Sequence, residues 1–335
     1  MTITEKKEKE EGKIWFNGEL VDHDDARVHV LTHGLHYGTG VFEGIRCYKT
    51  VDGKSAIFRL QDHMQRLIDS GKIYFMDLGF SRQQLEQAAI DTVKANGMAE
   101  CYIRPIAFYG YGKMGVNPMP NKVSVAIAVW KWDEYMKGGG SSGNSSSSGG
   151  GGVDGEEKGA RLMVSSWARL DPKTMPMHAK ATANYANSAL ARVEAIKAGF
   201  DEAVMLNSSG MVVEASAENI FIVKKDGSLA TPPTSSGALA GITRESVIAI
   251  AKENGISCEE RNISRDELYV ADEVFLTGTA AEIKPVGEID NRVIGRDSGR
   301  PGKVTRQLKT LFDAVVHGKD DGGKFSKKWL VPINN

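Results

Sequence analysis

Apolar residues along the chain change their period several times, and each change marks an element. The segment IWFNGELVDHDDARV alternates apolar and polar positions around Asn17–Gly18, which predicts a hairpin with a tight turn. In QDHMQRLIDSGKIYFM (61–76), Met64, Leu67, Ile68 and Ile73 fall near helical spacing. SRQQLEQAAIDTVKANG (81–97) opens on a serine cap and closes on Asn-Gly, which predicts a second helix. CYIRPIAFYG and VSVAIAVWKW (123–132) return to the strand pattern, as does ARLMVSSWARL (160–170). Further on, ANSALARVEAIKAG (186–199) and ITRESVIAIAKENG (242–255) predict amphipathic helices closed by glycine. EAVMLN, NIFIVKK and EVFLTG predict strands between and after them. Mixed strands and helices in two halves, with no heptad run or internal repeat, predict an α/β or α+β protein.

The tract GGGSSGNSSSSGGGG at 138–152 breaks the pattern. Such a composition cannot bury apolar surface and behaves as flexible coil. It predicts an expanded connection, so that residues 1–136 form a smaller N-terminal α/β domain, 137–155 a linker, and 156–335 a larger C-terminal domain. A chain of 335 residues has room for both cores. Its formal net charge of −1 lacks the basic excess of a nucleic-acid binder. There is no apolar run of the length that would span a membrane, and none is expected as a partner. The start MTITEKKEKEEGK has no apolar stretch and reads as a solvated arm, not a secretory signal. Cys47, Cys101 and Cys258 are odd in number and widely spaced, which suits a reducing compartment better than a disulfide framework. These features together predict a soluble cytoplasmic protein.

The candidate chemistry centres on Lys180 in MHAKATANYANSALAR. It is flanked by Ala179, Ala181 and Ala183 instead of charges, whereas most of the 42 lysines and arginines would be solvated. An amine is the side chain that forms an imine with an aldehyde, and desolvation tunes it toward a base. Downstream come Glu214 in VVEASAENIFIV, then GALAGITRES (237–246), then LTGTAAEI (276–283). Gly241–Ile242–Thr243 would open a helix with free N–H groups, a positive dipole end and a hydroxyl, and Thr279 would add a second hydroxyl. Taken singly, each motif has an ordinary reading: a turn glutamate, a helix-start threonine, a surface arginine at position 66. The seven histidines show no metal-ligand spacing, and His33, His36 and His178 read as structural.

In this order and spacing the motifs resemble the fold-type IV transaminases, which use pyridoxal 5'-phosphate. HYGTGVFEGIRCY (36–48), YIRP (102–105) and MGVNP (114–118) resemble the branched-chain amino acid aminotransferases within them. The resemblance runs from about residue 13 to about 332. It implies the two-domain fold of those enzymes and a cofactor bonded covalently to Lys180, the catalytic residue. Glu214 would face the ring nitrogen and Tyr185 the ring hydroxyl, while Glu218 is structural. Leu239, Ile242, Thr243 and Thr279 would be further cofactor contacts, and Arg66 would grip the phosphate as a fork. Tyr102 and the Thr279–Ala280 backbone would take the substrate α-carboxylate. Tyr37, Phe42, Met114, Val116 and Tyr135 would form an apolar pocket for leucine, isoleucine and valine. Tyr37 and the Val116 loop would come from a neighbouring subunit, implying a homodimer or higher homo-oligomer. Arg104 would pair with the distal carboxylate of glutamate, the other amino donor. The implied reaction is transamination between branched-chain amino acids and 2-oxoglutarate, as in the biosynthesis of leucine, isoleucine and valine. Its partners are amino acids and 2-oxo acids, with no metal. Alternatives are a D-amino acid transaminase, an R-selective amine transaminase, an aminodeoxychorismate lyase, or a non-catalytic cofactor-binding protein. Tyr102 and Arg104 with GVNP favour the branched-chain reading. Ala183, Ala215 and Ala217 stand where that family often has glycine, and Ala240 where it often has proline. Alanine would cost stability at any of the three glycine positions with left-handed backbone.

Overall fold

A computed structural model of the chain describes residues 12–131, 158–295 and 299–333. The charged N-terminal arm, Tyr135 and the glycine-serine tract lie outside the described residues. The strands of the first half are β1 (Lys13–Phe16), β2 (Glu19–Asp22), β3 (Gly40–Phe42), β4 (Ile45–Lys49), β5 (Ser55–Phe58), β6 (Cys101–Tyr109) and β7 (Val123–Trp130). In the second half come β8 (Ala160–Val164), β9 (Glu202–Leu206), β10 (Val212–Ala215), β11 (Asn219–Val223) and β12 (Leu229–Thr231). They are followed by β13 (Cys258–Glu260), β14 (Glu273–Gly278), β15 (Glu282–Ile289), β16 (Arg292–Val293) and β17 (Leu330–Ile333). The helices are α1 (His33–Tyr37), α2 (Leu60–Ile73), α3 (Arg82–Ala95), α4 (Asn184–Lys197), α5 (Ile242–Glu253), α6 (Arg265–Val270), α7 (Lys303–Val316) and α8 (Ser326–Trp329).

The chain divides into two compact units. The first takes the N-terminal part to Trp132, then Lys180–Thr182, then the end from Trp329. Its sheet runs β17-β5-β4-β6-β7-β1-β2, with β3 paired to β6 off that path. The hairpin expected at Asn17–Gly18 joins β1 to β2, both turn residues having positive φ. Strand β6 alternates as its sequence suggests, burying Cys101, Ile103 and Ala107 on one face. Helices α2 and α3 pack against it, α3 starting at a full capping box of Ser81 and Gln84.

Two local departures in this sheet prepare the site. Strands β3 and β4 both pair with β6 but break between Phe42 and Ile45, opposite Arg104 and Pro105. Pro105 has no N–H to give the ladder, so the neighbouring strand can bend there at little cost; Glu43 keeps only its own N–H bond to the Pro105 carbonyl, at 2.8 Å. The second departure is Lys180–Thr182, which lies along β3. Phe42 N–H donates to the Lys180 carbonyl at 3.0 Å, and Thr182 N–H to the Gly40 carbonyl at 2.9 Å. This pairing is why three residues far along the chain belong to the first unit. The contiguous boundary predicted around the tract does not anticipate them.

The second unit carries a nine-stranded sheet, β10-β9-β8-β15-β14-β11-β12-β13, with β16 beside β15. The run NIFIV of β11 is buried throughout, as a strand covered on both faces must be. Phe221 and Phe275 stack across β11 and β14 with ring centroids 4.9 Å apart. ARLMVSSWARL is strand only as far as Val164. The Ser165 N–H still donates to the Val204 carbonyl at 2.9 Å, and beyond it Ser165 and Ser166 bond the Glu194 carboxylate of α4. Helix α4 begins at Asn184, two residues before the expected start, and its amphipathicity is inverted. It buries Asn184, Ser188, Ala191 and Ala195 and exposes Leu190, Val193 and Ile196.

Candidate functional site

In the first unit, helix α2 turns one polar stripe inward, formed by His63, Arg66 and Ser70 at intervals of three and four. Ser70, 1% exposed, accepts the Lys180 backbone N–H at 3.0 Å and so anchors the lysine segment from the helix side. The Lys180 ammonium nitrogen lies 5.0 Å from the centroid of the Phe42 ring. Arg66 and His63 both reach Glu43, whose side chain is fully buried. Arg66 donates Nε to Oε1 at 2.6 Å and Nη2 to Oε2 at 2.8 Å. His63 Nδ1 stands 2.7 Å from Oε2. Burial alone would push the Glu43 carboxyl up, but the Arg66 charge and then His63 outweigh it and hold it far below the usual carboxylate range. Burial pushes the His63 imidazole down against the pull of Glu43, with Arg66 and Lys180 adding to the fall. The fork that sequence reasoning assigned to a phosphate is made, along the Nε–Nη2 edge, with a carboxylate.

On the neighbouring strands Arg104 is surrounded by rings. Its guanidinium carbon lies 5.0 Å from the Phe42 centroid, 5.2 Å from that of Tyr102 and 5.6 Å from that of Trp130. Its Nη2 donates to the Tyr102 hydroxyl at 3.4 Å, and its Nε is buried with no hydrogen-bond partner among the described residues. The strand-end salt bridge that would be its ordinary reading is not formed among those residues. Tyr102 packs over Gly44, where a Cβ would collide with the tyrosine hydroxyl. Phe42 thus has Lys180 and Arg104 at one distance. Tyr37, Met114 and Val116 do not join this group; they are exposed, Val116 at 83%. His33 links their segments, with Nδ1 2.8 Å from the Thr39 hydroxyl and Nε2 2.7 Å from the Gly115 carbonyl. That is the structural role expected of it.

In the second unit Glu214 is buried on β10 and reached by three donors. Arg169 Nη2 lies 2.8 Å from Oε1, while Asn219 Nδ2 and the Leu239 N–H each donate to Oε2 at 3.1 Å. Arg169 is itself steadied by Ser188 of α4, its Nη1 donating to the hydroxyl at 2.8 Å. The inverted face of α4 serves this contact. Gly241 caps α5 directly before Ile242 and Thr243, both buried. A Cβ at Gly241 would collide with Asn219 Oδ1, so the same asparagine that holds Glu214 requires a glycine at the helix start. Thr279 and Ala280 form the half-buried turn between β14 and β15, and Tyr185, also half-buried, opens α4. None of Ala183, Ala215 and Ala217 has positive φ, Ala183 standing at −58°, so alanine adds no backbone strain there.

Sequence reasoning missed Glu43, His63, Trp130, Arg169 and Asn219. Glu43 alone carried a usable signal, an acid inside the otherwise apolar run GVFEGI. What the two groups can do chemically is clear from their parts. The first pairs a half-buried amine with an aromatic wall and a fixed guanidinium. The second pairs a clamped carboxylate with a glycine-capped helix start, whose dipole favours an anion.

Comparison with known proteins gives a consistent result. The family described as amino-transferase class IV matches residues 40–289. A protein of Salmonella typhimurium named branched-chain-amino-acid aminotransferase is 44% identical over 323 residues, covering 96% of this chain and 97% of its own. A T.th. branched-chain amino acid aminotransferase, solved in complex with N-(5'-phosphopyridoxyl)-L-glutamate, is 43% identical with a TM-score of 0.86. It aligns over 98% of this chain and 100% of its own. The same T.th. enzyme has also been solved with 4-methylvaleric acid, with the same identity, coverage and TM-score.

Proposed function

Since this chain belongs to the class IV aminotransferases, we propose that it is a pyridoxal phosphate-dependent branched-chain amino acid aminotransferase. It exchanges the amino group of leucine, isoleucine or valine with 2-oxoglutarate. The reading is supported by relatives that bear that name across nearly the whole chain, and by neighbours solved with pyridoxal phosphate derivatives. The observation that carries the substrate class is Arg104 among Phe42, Tyr102 and Trp130. Leucine needs an apolar wall and glutamate a cation, and this arrangement offers both in one place.

The residues present fit the cofactor. The chain holds an amine against a ring, a clamped carboxylate, and a helix start capped by a glycine packed on Asn219 that cannot be replaced without collision. When bound, pyridoxal phosphate supplies an aldehyde that takes the amino group and a protonated ring that draws electron density from the substrate Cα. Lys180 Nζ would hold the cofactor and, as a free amine, would be the base that moves the proton at the substrate Cα. Glu214 keeps the ring nitrogen protonated, with Arg169, Asn219 and the Leu239 N–H fixing its carboxylate plane. Tyr185 hydrogen-bonds the ring hydroxyl. Arg66 would pair with the phosphate charge, and Ile242, Thr243 and Thr279 would donate N–H and hydroxyl hydrogen bonds to it. Tyr102 and the Thr279–Ala280 backbone hold the α-carboxylate.

The chain also forms a homodimer on this reading, with Tyr37 and Val116 contributed across the interface. Their exposure in the single chain, with that of Val30 at 67% and Leu35 at 66%, supports it. No helix among the described residues is long and apolar enough to cross a membrane. A cytoplasmic location on this reading accords with the free cysteines. One preparation tests the whole proposal. Leucine should bleach the visible band of the cofactor-loaded protein and 2-oxoglutarate should restore it, while sedimentation shows at least twice the chain mass. A band indifferent to leucine would overturn the substrate assignment.

A further inference from the structure

The fully buried carboxylate of Glu43 has no part in the scheme above, yet it engages two of the three polar side chains on the inner stripe of α2. We propose that Glu43, backed by His63, is a positioning residue for cofactor binding: it fixes the Arg66 guanidinium in the orientation in which that residue meets the phosphate. The inference rests on the proposed role of Arg66.

The argument runs from geometry. A free arginine side chain samples many rotamers, and binding a ligand with it costs the entropy of ordering it. Here two parallel hydrogen bonds of 2.6 and 2.8 Å fix the guanidinium plane and its rotation about the chain axis. The carboxylate that accepts them is itself unable to turn, because His63 Nδ1 lies 2.7 Å from one oxygen. All three side chains are built on rigid parts. His63 and Arg66 share one face of a 14-residue helix, and Glu43 sits at the strand break opposite Pro105. The bend at that break puts a carboxylate where an apolar residue would otherwise continue the strand. The Arg66 charge outweighs burial and holds the Glu43 carboxyl below its ordinary range, which favours the charged form that the fork needs. The opposing effect is that a negative charge beside Arg66 weakens its pull on a phosphate. The two effects give opposite signs on removal of the charge, and so can be told apart.

The test compares two ligands of the full-length protein freed of cofactor: pyridoxal phosphate and pyridoxal, which lacks the phosphate. The quantity read is the ratio of their dissociation constants, the affinity contributed by the phosphate. Glu43→Gln should shrink that ratio roughly tenfold, the low end of what orienting partners of metal ligands carry. Its pyridoxal affinity should stay within about twofold, and its melting temperature is recorded beside both. Arg66→Ala is the reference. If it leaves the ratio unchanged, the phosphate role of Arg66 fails and the inference falls with it. If Arg66→Ala collapses the ratio while Glu43→Gln leaves or enlarges it, Arg66 keeps its role and the positioning role of Glu43 is overturned. Equal losses for both ligands would mean that Glu43 serves folding alone and would overturn it too. Should Glu43→Gln fail to fold, His63→Gln decides. A phosphate-specific loss of roughly threefold supports the inference, and an unchanged ratio overturns it.

Discussion

On the proposed reading, Arg104 would be a single cation serving two amino donors that differ only at their far end. Its removal should therefore split the two half-reactions. In Arg104→Ala, single-turnover rates with glutamate or 2-oxoglutarate should fall much further than those with leucine. A charge-assisted pair contributes about 1.5–3 kcal/mol, or roughly one to two powers of ten. Equal losses on both would mean that the guanidinium only supports the rings around it. His63 gives a second, pH-dependent expectation. Its folded pKa lies below its ordinary 6.5, chiefly through burial. Between the two values the unfolded chain binds a proton that the folded chain refuses, so stability falls as pH is lowered below 6.5. Urea midpoints measured down that range should show a shallower fall in His63→Gln than in the unaltered protein, and identical slopes would refute the assignment. At this scale the sequence singled out Lys180, Glu214 and Thr243 because each sits in a recognisable motif. It was silent where a residue matters through a partner. Glu43 meets His63 and Arg66 across 20 and 23 positions, and no local period relates such pairs.

Elements were most readable where their signals are confined to a few neighbours. Helix α3 follows from Ser81 at its start and Asn96–Gly97 at its end, and it forms between them. Both halves of its capping box are made, Ser81 accepting from the Gln84 N–H at 3.3 Å and Gln84 from the Ser81 N–H at 2.8 Å. Ser81→Ala should cost about 1 kcal/mol. That corresponds to a lowering of the melting temperature by roughly 2–4 °C or less at this chain length. A scanning calorimeter showing no change would mean the cap is redundant with the packing of α3 on β6. Helix α4 marks the limit of this reading. Its periodicity announced a helix but pointed the wrong face inward. Ala191 and Ala195 pack with Phe200, Ala203 and Met205, and small side chains are what such close contact admits. Ser188, on the same face, is claimed by Arg169. The strand β8 was overcalled for a related reason. Apolar letters continued past Val164, but the regular pairing ends once the Ser165 N–H has reached the Val204 carbonyl of β9.

For the whole molecule, alternating strand and helix patterns and the position of the tract conveyed two units, each with its own sheet. Two long-range facts escaped. Cys47 and Cys101, which looked unrelated, stand directly opposite each other in β4 and β6. Lys180 belongs to the first unit although its neighbours Ala179 and Ala183 belong to the second. The consequence of that placement is one of time. Lys180 is positioned by Ser70 and its segment by Gly38 and Gly40, contacts that close loops of 110 to 144 residues. Loops of that length close late, after local helices and hairpins have formed, because their ends must find each other at an entropic cost that only a finished sheet can repay. The Lys180 amine should thus be among the last groups to reach its place in a refolding chain. Far-UV dichroism should recover ahead of the ability to capture pyridoxal phosphate, measured as borohydride-fixed label on Lys180. Recovery of both signals at one rate would show that the lysine segment docks with the first elements, and a chain interrupted before its C-terminal strand β17 would then already be armed.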